Sequence, residues 1–392
     1  MIEFSQRTNF LKDSPTLKLN ERINVLKNQG KDIINLTVGE PNYYEPEVSR
    51  EAAIQAIKNH FTHYTNSSGI ISLRENICKK LKLENGLNYR PEQITVSAGG
   101  KQALFNSLSV LINHGDEVII PTPAWPTYEE QVRLVGGTPH LVSLNEKTSF
   151  KLTPELLEKN INSNTKVLIL NSPSNPTGAT YSIDELKELV SIIEKNRIIV
   201  ISDEIYERLV YDLDFVSPAS LSQYMYENTI TINGFSKSFG MTGWRIGYSA
   251  APEEIAHKIA AFQSQITASI SSVSQVAAEQ AILNFDYSHV NDLVRNREYL
   301  VDIIRRGTKL SLPTVPDGSF YLFPNLSEVL GKEFFGKKVT TAEDFSELLL
   351  SKVGVAVTPG SFFNAPNNIR ISYAKSFDEI QEAGRRIVEF FN

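Results

Sequence analysis

The middle of the chain alternates short, continuous apolar runs with longer amphipathic stretches, and this alternation constrains the fold more than any other feature. The apolar runs cover residues 94–97, 117–120, 166–170, 197–201 and 229–232. Because these runs are continuous rather than alternating, they predict strands that helices cover on both faces. Helical patterns at 101–112 and 182–195 lie between them, and Ser182 opens the second with a capping-box pattern. The order predicts an α/β domain with a mostly parallel central sheet.

The last hundred residues have a different pattern. A long helical pattern covers 290–306, and further helical patterns cover 340–352 and the stretch from Ser376 onward. Short strand patterns are found at 320–323, 355–357 and 369–372. This mixture predicts a smaller α+β domain.

Composition excludes several classes of function. The 392 residues are 41% hydrophobic, so the chain can build a large core. The net charge is -6, so nothing in the charge favours nucleic acid as a partner. Cys78 is the only cysteine, which rules out a disulfide within the chain. We see neither a signal peptide nor an apolar run long enough for a bilayer, and therefore expect a cytoplasmic protein without membrane partners. His60 and His63 lack acidic or cysteine neighbours, so no metal site is expected.

Residues 233–247 combine a lysine, an arginine and several glycines. Lys237 lies among small and hydroxyl-bearing residues, and Arg245 follows eight positions later. A desolvated lysine amine near a second cation loses part of its preference for the charged form, so it can attack a carbonyl. A guanidinium is a planar, permanently charged donor for phosphate or carboxylate. The segment predicts a lysine that holds an aldehyde cofactor beside an anion site.

Polar residues also follow the predicted strands, where ligands of open α/β sheets bind. Gly99, Gly100 and Lys101 form a glycine turn that opens a helix, and such a turn is either an anion site or simply a tight turn. Asp203 and Tyr206 follow the run 197–201. A buried acid at that position needs a cation, unless it caps the next helix.

Three further residues extend this pattern. Asn175 follows the run 166–170 in a proline-rich turn, where we expect a cis bond to Pro176. Trp125 follows the run 117–120, and its indole can stack on a flat ring. Arg370 alternates with apolar residues on a predicted strand, so it needs either a ligand carboxylate or an internal ion pair.

These motifs together resemble the class I pyridoxal-phosphate (PLP) aminotransferases of fold type I, over essentially the whole chain and in the family's order. The resemblance implies that Lys237 forms a Schiff base with PLP, that Asp203 faces the pyridine nitrogen and that Tyr206 reaches the phenolate oxygen. These three are the expected catalytic residues. Further expected cofactor contacts are Gly99, Gly100, Lys101, Trp125, Asn175, Ser236, Arg245 and, from a neighbouring subunit, Tyr64.

The resemblance also implies substrate contacts and an organisation. Arg370 matches the arginine that binds the substrate α-carboxylate, and the other expected substrate contacts are Gly39, Lys101, Trp125 and Asn175. It implies a homodimer with shared sites, a large PLP-binding domain at 46–289, and a discontinuous small domain at 1–45 and 290–392. One departure is Gly234, where many relatives carry a serine or threonine that binds the phosphate; Ser236 is the available substitute.

The expected reaction moves the amino group of an L-amino acid to a 2-oxo acid such as 2-oxoglutarate with ping-pong kinetics. Aspartate is favoured because Lys101 resembles the lysine with which one subgroup holds the distal carboxylate. Aromatic amino acids or prephenate are the alternative substrates. A PLP-dependent C–S β-lyase would use the same Lys237 and Asp203, and is less favoured.

Overall fold

The computed structural model describes residues 5–11 and 15–392. In this part of the chain the α-helices are α1 Pro15–Asn28, α2 Glu47–Lys58, α3 Ile71–Asn85, α4 Gly100–Leu111, α5 Thr127–Leu134, α6 Pro154–Asn160, α7 Ile183–Asn196, α8 Gln223–Asn228, α9 Glu253–Ile266, α10 Ser272–Leu283, α11 Ser288–Gly307, α12 Ala342–Val353 and α13 Phe377–Phe391. The strands are β1 Ile34–Asn35, β2 Ile94–Ser97, β3 Glu117–Thr122, β4 Thr138–Ser143, β5 Thr165–Asn171, β6 Ile199–Asp203, β7 Thr229–Gly234, β8 Gly247–Ala250, β9 Tyr321–Leu322, β10 Glu333–Phe334, β11 Lys337–Lys338, β12 Val355–Ala356, β13 Thr358–Pro359 and β14 Ile369–Ser372. Short 3-10 turns lie at Gln6–Thr8, Pro91–Gln93, Glu146–Thr148, Pro218–Ser220, Thr242–Trp244 and Gly360–Phe363.

The centre of the fold is a seven-stranded sheet in the order β2-β8-β7-β6-β5-β3-β4. Strand β8 is antiparallel to both of its neighbours, and the remaining pairs are parallel. Separate apolar clusters pack against the two faces of the sheet, so Val167 and Leu168, which point to opposite faces of β5, are both fully buried. The predicted α/β fold with a mostly parallel sheet is confirmed.

The C-terminal end of α7 determines where β6, the strand that ends in Asp203, begins. Ser182 and Glu185 form the reciprocal capping box expected at its N-terminus. At its other end Arg197 adopts a left-handed conformation with φ of 55° and caps the helix. The predicted strand 197–201 therefore begins at Ile199 instead, and it extends to Asp203, which becomes its last residue.

The C-terminal region joins the N-terminal segment in a second core. Strands β13, β14 and β9 form a small antiparallel sheet, and β1 pairs in parallel with β12. Leu36 from the N-terminal segment is buried in the same cluster as Phe345 and Ile371. This packing is consistent with a discontinuous small domain, and the boundaries at 45/46 and 289/290 stay a prediction.

Several elements were not predicted from the sequence. They include β4, β8, α9, α10 and the hairpin β10–β11. The bond between Asn175 and Pro176 is cis, as expected, and those before Pro123 and Pro173 are cis as well. Within residues 5–11 and 15–392 no helix is both long and apolar enough to cross a bilayer.

Candidate active site

A cavity of about 520 Å³ lies at the carboxyl edge of the central sheet, beside the small antiparallel sheet. It brings together all but two of the predicted site residues. Those lining it are Gly39, Gly100, Lys101, Trp125, Asn175, Asp203, Tyr206, Ser236, Lys237, Arg245 and Arg370. Gly99 borders this cavity through Arg245, whereas Tyr64 is 89% exposed on the outer surface. A role for Tyr64 in a site therefore requires a second chain.

Lys237 enters the cavity from the loop that follows β7. Its Nζ donates a hydrogen bond to the Gly39 carbonyl over 2.7 Å. Burial lowers the pKa of Lys237 to about 8, with Arg370 and Arg245 lowering it further and the carboxylates of Glu40 and Asp203 opposing the shift. A substantial fraction of neutral amine is therefore available near neutral pH, as nucleophilic chemistry at a carbonyl requires.

Asp203 ends β6 and is almost completely buried. Its Oδ2 accepts a 2.6 Å hydrogen bond from the Tyr128 hydroxyl, and its Oδ1 accepts one from the Ile205 amide. Burial raises the pKa of Asp203, while these two hydrogen bonds and the charge of Lys237 oppose the shift. Neither hydrogen-bond partner is a cation, so the site can accept a positively charged nitrogen from a ligand.

Tyr128 was not predicted from the sequence. It lies in the first turn of α5, three residues after Trp125, and the two rings pack edge to face with centroids 5.5 Å apart. The sequence signal for Tyr128 was its position three residues after Trp125, at the start of a helix. A lone tyrosine is usually a core residue, and the partner that gives this one a role is Asp203, 75 positions along the chain.

Tight glycine packing places a guanidinium at the N-terminus of α4. A Cβ on Gly99, whose φ is 87°, would lie 2.6 Å from Arg245 Nη2, and a Cβ on Gly247 would lie 2.6 Å from the Gly100 amide nitrogen. Arg245 donates to the carbonyls of Ala98 and Thr242. The free amides that begin α4 and the Arg245 charge thus meet at one place, which could hold a phosphate.

The departure at Gly234 has a steric cause. A Cβ at this position would lie 2.9 Å from the Gly247 Cα and 3.1 Å from the Ile246 carbonyl oxygen, because β7 and β8 approach closely there. A serine or threonine would force the two strands apart. Ser236, two residues on, lines the cavity and is the hydroxyl that remains available.

Arg370 lies on β14 and is 5% exposed. Its Nη1 donates to the Asn175 Oδ1 over 2.8 Å and its Nη2 to the Thr37 carbonyl over 2.7 Å, while its Nε has no acceptor. The guanidinium carbon lies 4.4 Å from the centroid of the Tyr321 ring. No carboxylate among the described residues pairs with Arg370, so the alternative of an internal ion pair is not supported there, and a ligand carboxylate suits the free donor capacity.

Two pairs of side chains complete the cavity walls: Tyr206 with Tyr321, and Lys101 with Trp125. The hydroxyls of Tyr206 and Tyr321 lie 3.0 Å apart, and both rings are buried. On the opposite side Lys101 Nζ lies 4.9 Å from the centroid of the Trp125 ring. Burial, followed by the nearby charge of Arg245, lowers the pKa of Lys101. Tyr321 lies on a strand that the sequence predicts without any site role, and its place at the cavity was missed for that reason.

Residues 31–387 match the family model of aminotransferase class I and II. The chain is 43% identical to the probable aspartate/prephenate aminotransferase of Rhizobium leguminosarum bv. phaseoli, over 97% of this chain and 96% of that one. It is 40% identical to the aspartate aminotransferase of Geobacillus stearothermophilus, over 99% of both. Among solved structures, the aspartate aminotransferase from Rhizobium meliloti superimposes with a TM-score of 0.95 at 38% identity, covering 100% of this chain and 99% of that one.

A fold of this type, with a lysine and a buried acid at the sheet edge, defines the fold type I PLP-dependent enzymes. The chain belongs to the class I and II aminotransferases, and is a PLP-dependent enzyme that catalyses transamination. The residues at the cavity suit PLP: the phosphate, the pyridine nitrogen and the aldehyde carbon each have a group of matching chemistry. Among the described residues no cluster of histidine, cysteine and acidic side chains could hold a metal ion.

Proposed function

We propose that this aminotransferase prefers aspartate as amino donor and a 2-oxo acid such as 2-oxoglutarate as acceptor. The supporting observation is that Arg370 and Lys101 line the same cavity as Lys237. No carboxylate in the described part of the chain forms an ion pair with Arg370 or Lys101. A substrate with two carboxylates can neutralise both cations, whereas a substrate with one leaves the Lys101 ammonium without a partner in the cavity.

The residues at the cavity have separate roles in the proposed reaction. PLP, when bound, supplies an electron sink that stabilises negative charge on the substrate Cα. Lys237 would hold PLP covalently, and its amine, when free and neutral, can remove the proton from the substrate Cα as a general base. Asp203 would keep a proton on the pyridine nitrogen, and Tyr206 would donate to the phenolate oxygen. Arg245, Ser236 and the amides of Gly100 and Lys101 would hold the phosphate, whereas the Gly99 amide already donates to the Ser97 carbonyl over 2.7 Å.

The substrate is oriented by the opposite wall. Arg370 binds the α-carboxylate through both of its terminal nitrogens, and Asn175 and Thr37 hold the guanidinium in place. The Gly39 backbone lies beside Lys237 and contributes an amide to the same carboxylate. Trp125 lines the same cavity and would stack on the cofactor ring. Because one cavity serves donor and acceptor in turn, ping-pong kinetics follow.

Prephenate is the second candidate substrate. Several relatives at 40–43% identity are named aspartate/prephenate aminotransferases. Prephenate also has two carboxylates, so the same pair of cations suits it. Aromatic amino acids have only one, and they would leave Lys101 without a partner. A C–S β-lyase would release pyruvate from cystathionine without an amino acceptor, and that assay identifies it directly.

A substrate panel with a lysine variant tests the proposal. Wild type and Lys101→Met are compared with aspartate, prephenate and phenylalanine as substrates, and the exposed Lys332→Met serves as the matched control. A hydrogen bond to a charged group is worth about 1.5–3 kcal/mol, so Lys101→Met lowers kcat/KM for aspartate by about 10- to 100-fold and leaves phenylalanine nearly unchanged. Equal losses with all three substrates would show that Lys101 does not recognise the second carboxylate.

We also propose that the enzyme is a homodimer in which each site receives Tyr64 from the partner subunit. Helices α2 and α10 pack together, and large apolar side chains are exposed at the end of each and in the segment after α2: Ile57, Tyr64 and Leu283. Light scattering should give twice the chain mass of 43.9 kDa. Mixing inactive Lys237→Ala with impaired Tyr64→Ala restores activity, because a mixed dimer contains one intact site. An active monomer would refute the proposal.

A cytoplasmic location stays a prediction.

A further inference from the structure

The segment that leads from β1 to α2 contacts Lys237 at both ends of the residue. The Gly39 carbonyl accepts a hydrogen bond from the side-chain Nζ over 2.7 Å. Four residues later, the Tyr43 hydroxyl donates a 2.6 Å hydrogen bond to the backbone carbonyl of Lys237. The backbone position and the amine of one residue are therefore both held by the same short segment.

The ring of Tyr43 is itself held in place. It stacks on His289 of α11 with ring centroids 4.2 Å apart and an interplanar angle of 3°. Its backbone carbonyl lies against Gly240, where a Cβ would approach it to 2.4 Å. Tyr43 also packs on the buried cluster of the small antiparallel sheet. A hydroxyl on so constrained a ring has little freedom to lose when it donates, so this hydrogen bond can fix its acceptor.

We propose that Tyr43 is a positioning residue for Lys237, whose hydroxyl fixes the lysine backbone so that Nζ is directed toward the Gly39 carbonyl and the cavity. The same segment also holds the substrate-binding wall, because the carbonyl of Thr37 accepts from Arg370. Residues 37–43 thus set the position of the reactive amine relative to the carboxylate-binding guanidinium. This inference rests on the assignment of Lys237 as the PLP lysine in the proposed function.

The charges around Lys237 make a displacement of its amine measurable. Arg370 and Arg245 favour the neutral amine, and Glu40 and Asp203 favour the charged form. These four groups lie on different elements on different sides of the cavity. Because each Coulomb energy depends on distance, a shift of the lysine backbone changes their balance and moves the pKa of the amine and of its link to PLP.

The test compares Tyr43→Phe with Tyr44→Phe, a neighbouring tyrosine that is 82% exposed. Tyr43→Phe keeps the ring and its stacking on His289 and removes only the hydroxyl. The holoenzymes are titrated with pH while the visible absorbance of the lysine–PLP link is recorded. The dissociation constant of PLP is measured on the apoenzymes, and thermal midpoints are recorded for both forms.

Tyr43→Phe should shift the midpoint of the absorbance titration by about half a pH unit and weaken PLP binding about fivefold, the equivalent of one neutral hydrogen bond. Tyr44→Phe should match wild type in both. Wild-type titration and PLP affinity in Tyr43→Phe, with only a lower thermal midpoint, would overturn the inference, since the hydroxyl would then serve the fold alone. Lys237→Ala separates the two proposals: if it keeps the absorbance band, the assignment of Lys237 fails, whatever Tyr43→Phe does.

Discussion

Asp203 and Glu207 are buried carboxylates four residues apart, and their surroundings shift their pKa values in opposite directions. Glu207 contacts the buried ammonium of Lys80 and accepts hydrogen bonds from Asn85 and Asn233 over 2.8 and 2.7 Å. Burial opposes its charge, but Lys80 above all lowers the pKa of Glu207 below its ordinary value. Asp203 has a phenol and an amide as partners, and burial raises its pKa.

This difference in charge compensation distinguishes an acid that supports the fold from an acid that is available to a ligand. The charge of Glu207 is neutralised by a cation of the chain itself, so its hydrogen bonds hold α3 to the end of β7 and need no ligand. Asp203 lines the cavity and lacks such a cation, so its charged form gains stability when a ligand supplies one. A buried acid that is incompletely compensated in a cavity therefore indicates the ligand site more reliably than the residue type alone.

The comparison is tested most strongly by Asp203→Asn. The amide can still accept the Tyr128 hydrogen bond but cannot hold a proton on the pyridine nitrogen, so we expect kcat/KM to fall at least a thousandfold, about 4 kcal/mol of lost stabilisation. Because the variant removes a buried charge, the thermal midpoint of the apoenzyme should stay level or rise. Steady-state kinetics and calorimetry measure the two effects. Loss of activity together with unfolding of the apoenzyme would contradict the assignment.

Glu207→Gln should give the reverse pattern. Removing one partner of a buried ion pair leaves Lys80 desolvated with only the longer ion pair to Glu84, 3.7 Å away, so the free energy of unfolding should fall by about 3 kcal/mol. The kcat of the folded enzyme should change only a few fold, because Glu207 lies outside the cavity lining. Urea titration and kinetics below the unfolding transition measure both.

A double variant sharpens this second prediction. Lys80→Met with Glu207→Leu removes both charges and should recover most of the lost stability, since an apolar pair of similar volume commonly replaces a buried ion pair at little cost. If the double variant were no more stable than Glu207→Gln, the hydrogen bonds from Asn85 and Asn233 would account for the loss instead of the ion pair.

The sequence predicted the sheet and the site residues for different reasons. Uniform apolar runs are sufficient to predict buried strands, and Lys237, Arg245 and Arg370 are placed by local motifs. The contacts that give Asp203 and Glu207 opposite roles are not local. Lys80 is 127 residues from Glu207, so no spacing within the segment 203–207 distinguishes the two acids.

The smallest expected effect concerns Glu204, a third acid between these two. It is fully buried, its Oε1 accepts from the Ser217 hydroxyl over 2.7 Å, and its Oε2 has no partner. Burial and then the charge of Glu207 raise the pKa of Glu204 to about 8, with Ser217, Ser202 and Lys80 opposing. Glu204 is therefore neither paired like Glu207 nor exposed to the cavity like Asp203, and it is expected to be protonated at neutral pH.

The sign of its pH effect follows from that shift. The unfolded chain releases the Glu204 proton near pH 4.5, whereas the folded protein keeps it until about pH 8, so stability falls as pH rises across this window and the loss is complete above it. From pH 6 to 9 the loss of stability is roughly 2–3 kcal/mol, because about two of these pH units lie below the folded-state pKa. Glu204→Gln should remove that part of the pH dependence of urea unfolding, and the exposed Glu188→Gln should retain it. An unchanged pH profile in Glu204→Gln would mean that Glu204 is ionised in the folded protein, and that Lys80 stabilises its charge as well as that of Glu207.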